Sequence, residues 1–205
     1  MKKFWIKDIK DYEGQEITLG ASAKGYIADQ IRKYLYINNI NNALIDLGGN
    51  ILCMGSKPLN SKSESFLVGI KKPFSDEAAY TLKVQDLSVV TSGVYERSFT
   101  YENKLYHHIL DSATGYPVEL YKQNDKELYS VTIIGASSEI CDNLSTCLLI
   151  LGQEKGKKLL LDYPGYEALF LYSNDYIYKT DGFDKALSLS TNKKEKIMLL
   201  GDSIT

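Results

Sequence analysis

Residues 129–152 read YSVTIIGASSEICDNLSTCLLILG, and a change of period inside this stretch decides the fold class. Residues 129–135 alternate as a strand does, with successive side chains assigned to opposite faces. From Ser137 the spacing changes. Ser137 or Ser138 caps a helix that runs through ICDNLSTCLLILG, with Glu139 in its first turn and Gly152 as its stop. Residues 153–162 then continue as a second short helix.

Both periods recur upstream. In residues 23–38, Ile27, Ile31, Tyr34 and Leu35 return at three- and four-residue steps, which predicts an amphipathic helix. Residues 43–47 read as a short buried strand, which Gly48-Gly49-Asn50 interrupts before residues 51–54 resume it. Residues 66–70, 80–84 and 88–91 are strands separated by polar turns and are expected to form an antiparallel meander. Residues 99–101 and 104–106 flank Glu102-Asn103 as a hairpin that delivers His107 and His108. Residues 119–127 read as a loop, residues 167–172 and 176–179 as a hairpin, and residues 183–187 as a last helical turn. The expected fold is α+β: mixed, largely antiparallel sheets with packed helices.

Composition narrows the function classes. The chain has 205 residues, 44% apolar and 24% charged, which is the balance of one globular domain. A formal net charge of −2 provides no basic stripe, so no nucleic-acid partner is expected. The three cysteines, Cys53, Cys141 and Cys147, lack CxxC spacing and read as small apolar fillers. No stretch reaches membrane-spanning length, and charges follow Lys2-Lys3 where a signal peptide needs an apolar run, so the chain as written is expected in the cytoplasm.

Three constellations carry chemistry. GASAKGYIAD places small residues, Lys24 and a helix start together, where free N–H groups and a positive helix end suit an anion, although GxxxxGK(S/T) is absent and packing is the commoner use of such a start. His107 and His108 are both histidines of the chain, and on a strand only one of them faces a given site. Asp142, Ser145 and Thr146, at steps of three and four, put oxygens on one helix face, which suits a hard cation and equally suits a solvated face or a cap.

Taken in order, LGASAKGYIADQI, ALIDLGGNI, TSGVYERSF, KLYHHILDSATGYPV and SVTIIGASSEICDNLSTCLLILGQEKG resemble the ApbE family of FAD:protein FMN transferases, over roughly residues 16–183. The resemblance implies a T-fold-like architecture that is N-terminally incomplete here. It also implies Mg²⁺-dependent transfer of FMN from the substrate FAD to a Thr or Ser hydroxyl of an acceptor protein, with release of AMP. By the same resemblance Mg²⁺ would be held by the Ala21 carbonyl, Asp142, Thr146 and Ser145. Lys24, Asp29, Gly48, Gly49, Asn50, Ser92, Gly93, His108 and Ile109 would line the flavin nucleotide. His108 is the expected proton-transfer residue, and Asp111, three residues on, is its rival.

Several features depart from the family pattern. Many members have Asp where this chain has Ser145, so one negative metal ligand is lost. DSATG resembles the short motif these enzymes modify but occupies the family's own DPxTG-like turn, so self-modification at Thr114 is not expected. The family's N-terminal strands and FAD contacts are not found, which predicts weak FAD binding by this chain alone. The chain is then expected to be the C-terminal part of a split or broken enzyme, or to have a separate N-terminal polypeptide as the partner that completes it, with cell-envelope export if that segment carries a signal. KIMLLGDSIT at the end resembles the first strand of an SGNH hydrolase, with Ser203 at the nucleophile position and no His or Asp after it. The expected plan is a transferase domain over residues 1–188, a linker over 189–195 and a truncated hydrolase strand over 196–205. Competing readings are a FAD-binding protein, a FAD pyrophosphatase without protein transfer and, resting on GDSIT alone, an esterase.

Overall fold

The structure, a computed structural model, describes residues 19–59, 62–102, 104–111, 114–186, 188–189 and 198–200. Most of the expected linker, Ser203, Asn103 and the Ser112-Ala113 pair of the DSATG turn lie outside the described residues.

In chain order the first elements are α1 (Ala23–Ile37), β1 (Ala43–Asp46), β2 (Asn50–Met54), β3 (Lys57–Leu59), β4 (Lys62–Glu64), β5 (Phe66–Lys71), β6 (Ala78–Val84) and β7 (Ser88–Gly93). They are followed by β8 (Ser98–Tyr101), β9 (Lys104–His107), β10 (Lys122–Gln123), β11 (Lys126–Gly135) and α2 (Ser138–Leu160). The last are β12 (Glu167–Tyr172), β13 (Ile177–Lys179), α3 (Phe183–Ala186), β14 (Ser188–Leu189) and β15 (Met198–Leu200). The molecule is α+β, as expected.

A seven-stranded sheet, in the order β1-β2-β7-β11-β12-β13 with β10 added beside β11, forms the middle layer. Strand alternation sends Val89, Ile134, Leu169 and Leu171 to one face, against the β14-β6-β5-β15 sheet, and Val90, Ile133 and Phe170 to the other, against α2. α1 covers the β1-β2 end through Ala28, Ile31 and Leu35. Both faces of β11 are therefore buried. Each fully buried Val, Leu or Ile side chain contributes about 1.5–3 kcal/mol relative to exposure, so a charge at Ile133 would break the stack. β15 pairs in parallel with β5, and the other described strand pairs are antiparallel.

The structure corrects five local expectations. The meander does not form: β5 and β6 pair, but β7 pairs with β2 and β11, because its Val89 and Val90 each need a covered face. β1 is an edge strand with only Ile45 buried. Residues 119–127 contain β10, turned back onto β11 through Asn124 and Asp125, whose positive φ values of 50° and 60° suit Asn and Asp. Of the residues that signalled α1, Ile27 and Tyr34 are exposed, since α1 buries the Ala28, Ile31 and Leu35 side. Cys147 is exposed, whereas Cys53 and Cys141 are core residues. Gly152, at φ 73°, breaks α2 as expected, and the helix resumes beyond it. Among the described residues no helix is long and apolar enough to cross a membrane.

Candidate functional site

The ends of β1, β7 and β9 and the starts of α1 and α2 converge on a cleft of about 510 Å³, within the usual size of a small-molecule site. Gly20, Ala21 and Lys24 enter it from α1, Gly48 and Gly49 from the turn before β2, and Thr91, Ser92, Gly93, Glu96 and Arg97 from the end of β7 and beyond. His108, Ile109 and Leu110 come from the end of β9, and Asp142, Thr146 and Ile150 from α2.

Local geometry explains the convergence. Gly48 and Gly49 take positive φ of 64° and 82°, and the Lys24 Nζ donates to the Gly48 carbonyl at 2.6 Å, pinning the turn to α1. Gly25 lets the two helices touch: a Cβ there would stand 2.4 Å from the Ser138 carbonyl oxygen and 2.7 Å from Asp142 Cβ. The Gly25 N–H then donates to Asp142 Oδ2 at 2.8 Å. No other hydrogen bond reaches the Asp142 carboxylate from the described residues. Burial pushes the Asp142 carboxyl above its ordinary value of 3.8, against the Gly25 N–H and Lys24, which favour the anion. A cation beside it would relieve that penalty.

The hydroxyls sort themselves by donor direction. Ser145 Oγ donates to the Asp142 carbonyl at 2.9 Å, so Ser92 Oγ, 2.7 Å away, donates to Ser145. Thr146 Oγ1 is 3.0 Å from Ser92 Oγ and 3.5 Å from the Asp142 carbonyl oxygen; with the Ser92 proton directed to Ser145, Thr146 donates to one of these two, which leaves its lone pairs to the cleft. Ser145 is fully buried behind this chain and does not line the cleft. Asp142 and Thr146 line the cleft together with Ala21, and a carboxylate with a hydroxyl is a donor set of the kind that Mg²⁺ takes alongside substrate phosphates. Ser145 supports them from behind.

His108 faces the cleft, where burial lowers its pKa and the Arg97 backbone hydrogen bond opposes this, while the charges of Arg97 and Lys24 lower it further. Neutral imidazole is favoured, with a lone pair that can take a proton. Strand alternation puts His107 on the other side, buried.

Three expected site residues do other work. Asp29 does not line the cleft: its carboxylate accepts from Ser138 N and Glu139 N at 3.1 Å and from Ser137 Oγ at 2.7 Å, capping α2 across the helix interface, and pairs with Arg32. Asn50 is fully buried below the cleft, and its Oδ1 accepts from Ser138 Oγ at 2.6 Å. Asp111 is exposed and does not line the cleft; its carbonyl accepts from Gly115 N at 2.8 Å and shapes the turn. Sequence reasoning missed Glu96 and Arg97, which lie two residues and more past the end of β7, where alternation no longer assigns a face.

Fold and site together define an α+β protein in which two basic side chains, a histidine and oxygen donors share one cleft. The ApbE family model matches residues 2–170, and the chain belongs to the ApbE family. The chain is 43% identical over 163 residues to the FAD:protein FMN transferase of Klebsiella pneumoniae (strain 342), covering 78% of this chain and 47% of that one. It is 38% identical over 176 residues to the namesake of Treponema pallidum (strain Nichols), covering 82% and 47%. The chain spans about half the length of the curated relatives it matches. Among solved structures, the ApbE protein of Thermotoga maritima superposes with a TM-score of 0.70 at 31% identity, covering 83% of this chain and 53% of that chain. The apo flavinyl transferase ApbE of Pseudomonas stutzeri does so at 0.67 and 26%, covering 86% and 53%.

Proposed function

We propose that this cleft binds FAD with Mg²⁺ and that the chain transfers FMN from FAD to a Thr or Ser hydroxyl of an acceptor protein, releasing AMP. The observation that carries the proposal is the meeting of Lys24, Arg97, His108, Ala21, Asp142 and Thr146 in one cleft. Bound Mg²⁺ would supply charge neutralisation on the diphosphate. Lys24 and Arg97 add to that neutralisation and orient the phosphates, and the Gly48-Gly49 turn brings bare backbone close to the nucleotide. The acceptor oxygen attacks the flavin-side phosphorus, its proton passes to His108, and the bond to the bridging oxygen breaks as AMP leaves with that oxygen. General-base help of this kind is worth about 10²–10⁴-fold.

Incubation with FAD, Mg²⁺ and an acceptor protein tests this by AMP release together with in-gel fluorescence of the acceptor. Labelled acceptor and AMP in equal amounts are expected. AMP without label would replace the proposal with a FAD pyrophosphatase, and bound FAD without either product with a flavin-binding protein, a reading favoured by the single carboxylate among the metal donors.

A further inference from the structure

His107 takes no part in the chemistry above, yet its surroundings are specific. The ring is 6% exposed, and its Nε2 lies 3.0 Å from the Val118 carbonyl oxygen. A carbonyl only accepts, so Nε2 carries the proton and Nδ1 is the bare nitrogen. That Nδ1 is buried with no hydrogen-bond partner. A cavity of about 10 Å³ adjoins the ring, walled by Val94, Ile109, Leu120 and Leu149. Its volume is about that of one water, and its walls are apolar.

Val118 is the far end of a strap whose near end is the cleft wall. Val118 N donates to the Ile109 carbonyl at 3.0 Å, Leu110 and Pro117 form a bridge, and Asp111 N donates to the Tyr116 carbonyl at 2.9 Å. Residues 109–111 and 116–118 are thus two arms held side by side, and Ile109 and Leu110 line the cleft next to His108.

We infer that His107 is a positioning residue, which ties Val118 to the end of β9, locks the two arms together and so fixes where His108 stands in the cleft. Its catalytic consequence rests on the reading of His108 as the base. Protonation would place a second N–H, on Nδ1, against the apolar cavity. Around the ring, α2 presents Leu149 and Ile150 and the end of β7 presents Val94, while the strap's Glu119 lines the cavity but is exposed. Of the neighbouring titratable groups, Glu119 would favour a positive charge but is exposed to solvent, and His108 opposes one. Burial, the largest cause, pulls the His107 pKa below its ordinary 6.5, with the Val118 hydrogen bond opposing and His108 adding to the fall. The unfolded ring therefore binds its proton more tightly than the folded one, so the stability that the buried neutral ring contributes is complete above about 6.5 and is lost as pH falls through the lowered value, while the Nε2–H that holds Val118 is present in both forms.

His107 and His108 are the chain's two histidines, so imidazole NMR of the full chain reads the clamp and its target separately. His107→Gln keeps an N–H for Val118 and cannot take a proton, whereas His107→Leu removes the donor. In the wild type the His107 signals should show the Nε2–H tautomer and titrate below 6.5, and the His108 signals should carry a second inflection at that same pH. His107→Gln should abolish the second inflection and leave the His108 signals at neutral pH unmoved, while His107→Leu should displace them. An unchanged His108 spectrum in His107→Leu, or a displaced one in His107→Gln, would overturn the inference. If His107→Leu does not fold, the wild type and His107→Gln still decide it.

The second readout is AMP release from FAD with Mg²⁺. His107→Leu is expected to lose about tenfold or more in kcat, the order that a displaced catalytic group costs, while His107→Gln stays within about twofold and keeps the acid limb that His108, as the base, imposes. Equal rates in the two variants would also overturn the inference. A wild type that releases no AMP would sink the transferase reading alone, because the NMR comparison stands without turnover.

Discussion

Two residues of the cleft carry opposite electrostatic assignments. His108, kept neutral by burial and by the charges of Arg97 and Lys24, is the proton acceptor. His108→Ala should therefore lower AMP release by about 10²–10⁴-fold with FAD binding retained; a loss under threefold would move the base elsewhere. Asp142 is held as an anion where burial disfavours it. Its raised pKa means that the folded state holds the proton more tightly than the unfolded state, so the contribution to stability is present at low pH and is lost as pH rises through the raised value. Without metal, Asp142→Asn should raise the unfolding midpoint at neutral pH, with the gap closing as pH falls toward 3.8, and it should abolish any effect of Mg²⁺. A midpoint that falls at neutral pH would contradict the assignment. Strand alternation showed that only one of His107 and His108 faces the site, and the family resemblance chose His108. It could not separate Thr146 from Ser145, because both spacings suit the helix face and the choice is made by Ser92, more than fifty positions away in sequence.

Among the elements, the contact between α1 and α2 matters most, since it joins the Lys24 and Asp142 walls of the cleft. Gly25 permits the approach and Asp29 caps α2 from across it. Asp29→Ala would leave Ser138 N and Glu139 N unpaired, at a cost of about 1–3 kcal/mol, and a domain of this size loses about 2–4 °C in Tm per kcal/mol. A thermal melt unchanged within 1 °C would show that the cap is idle. From sequence Asp29 passed for a ligand contact, because a one-chain pattern shows that it follows Lys24 on a helix but not that another helix begins opposite it. The helices, hairpins and α+β class were legible because period and turn chemistry are local. The order of strands was not: β7 leaves β6 for β2 and β11 because both of its faces must be covered, and only the assembled layers reveal that demand.

At the scale of the whole molecule, the site exists only because the central sheet brings five separated stretches to one edge. The family motifs mark all five stretches but give Arg97, inside TSGVYERSF, no role. The account's central claim is that these stretches form one site in which nucleotide and cation are held together. The most direct measurement is quenching of FAD fluorescence by the 205-residue chain, titrated with and without Mg²⁺ and repeated with Asp142→Ala. The account predicts FAD binding that Mg²⁺ tightens by about tenfold or more, equivalent to about 1.4 kcal/mol of coupling, with the coupling absent in Asp142→Ala. FAD affinity that is the same with and without Mg²⁺, or a Mg²⁺ effect that survives Asp142→Ala, would contradict it.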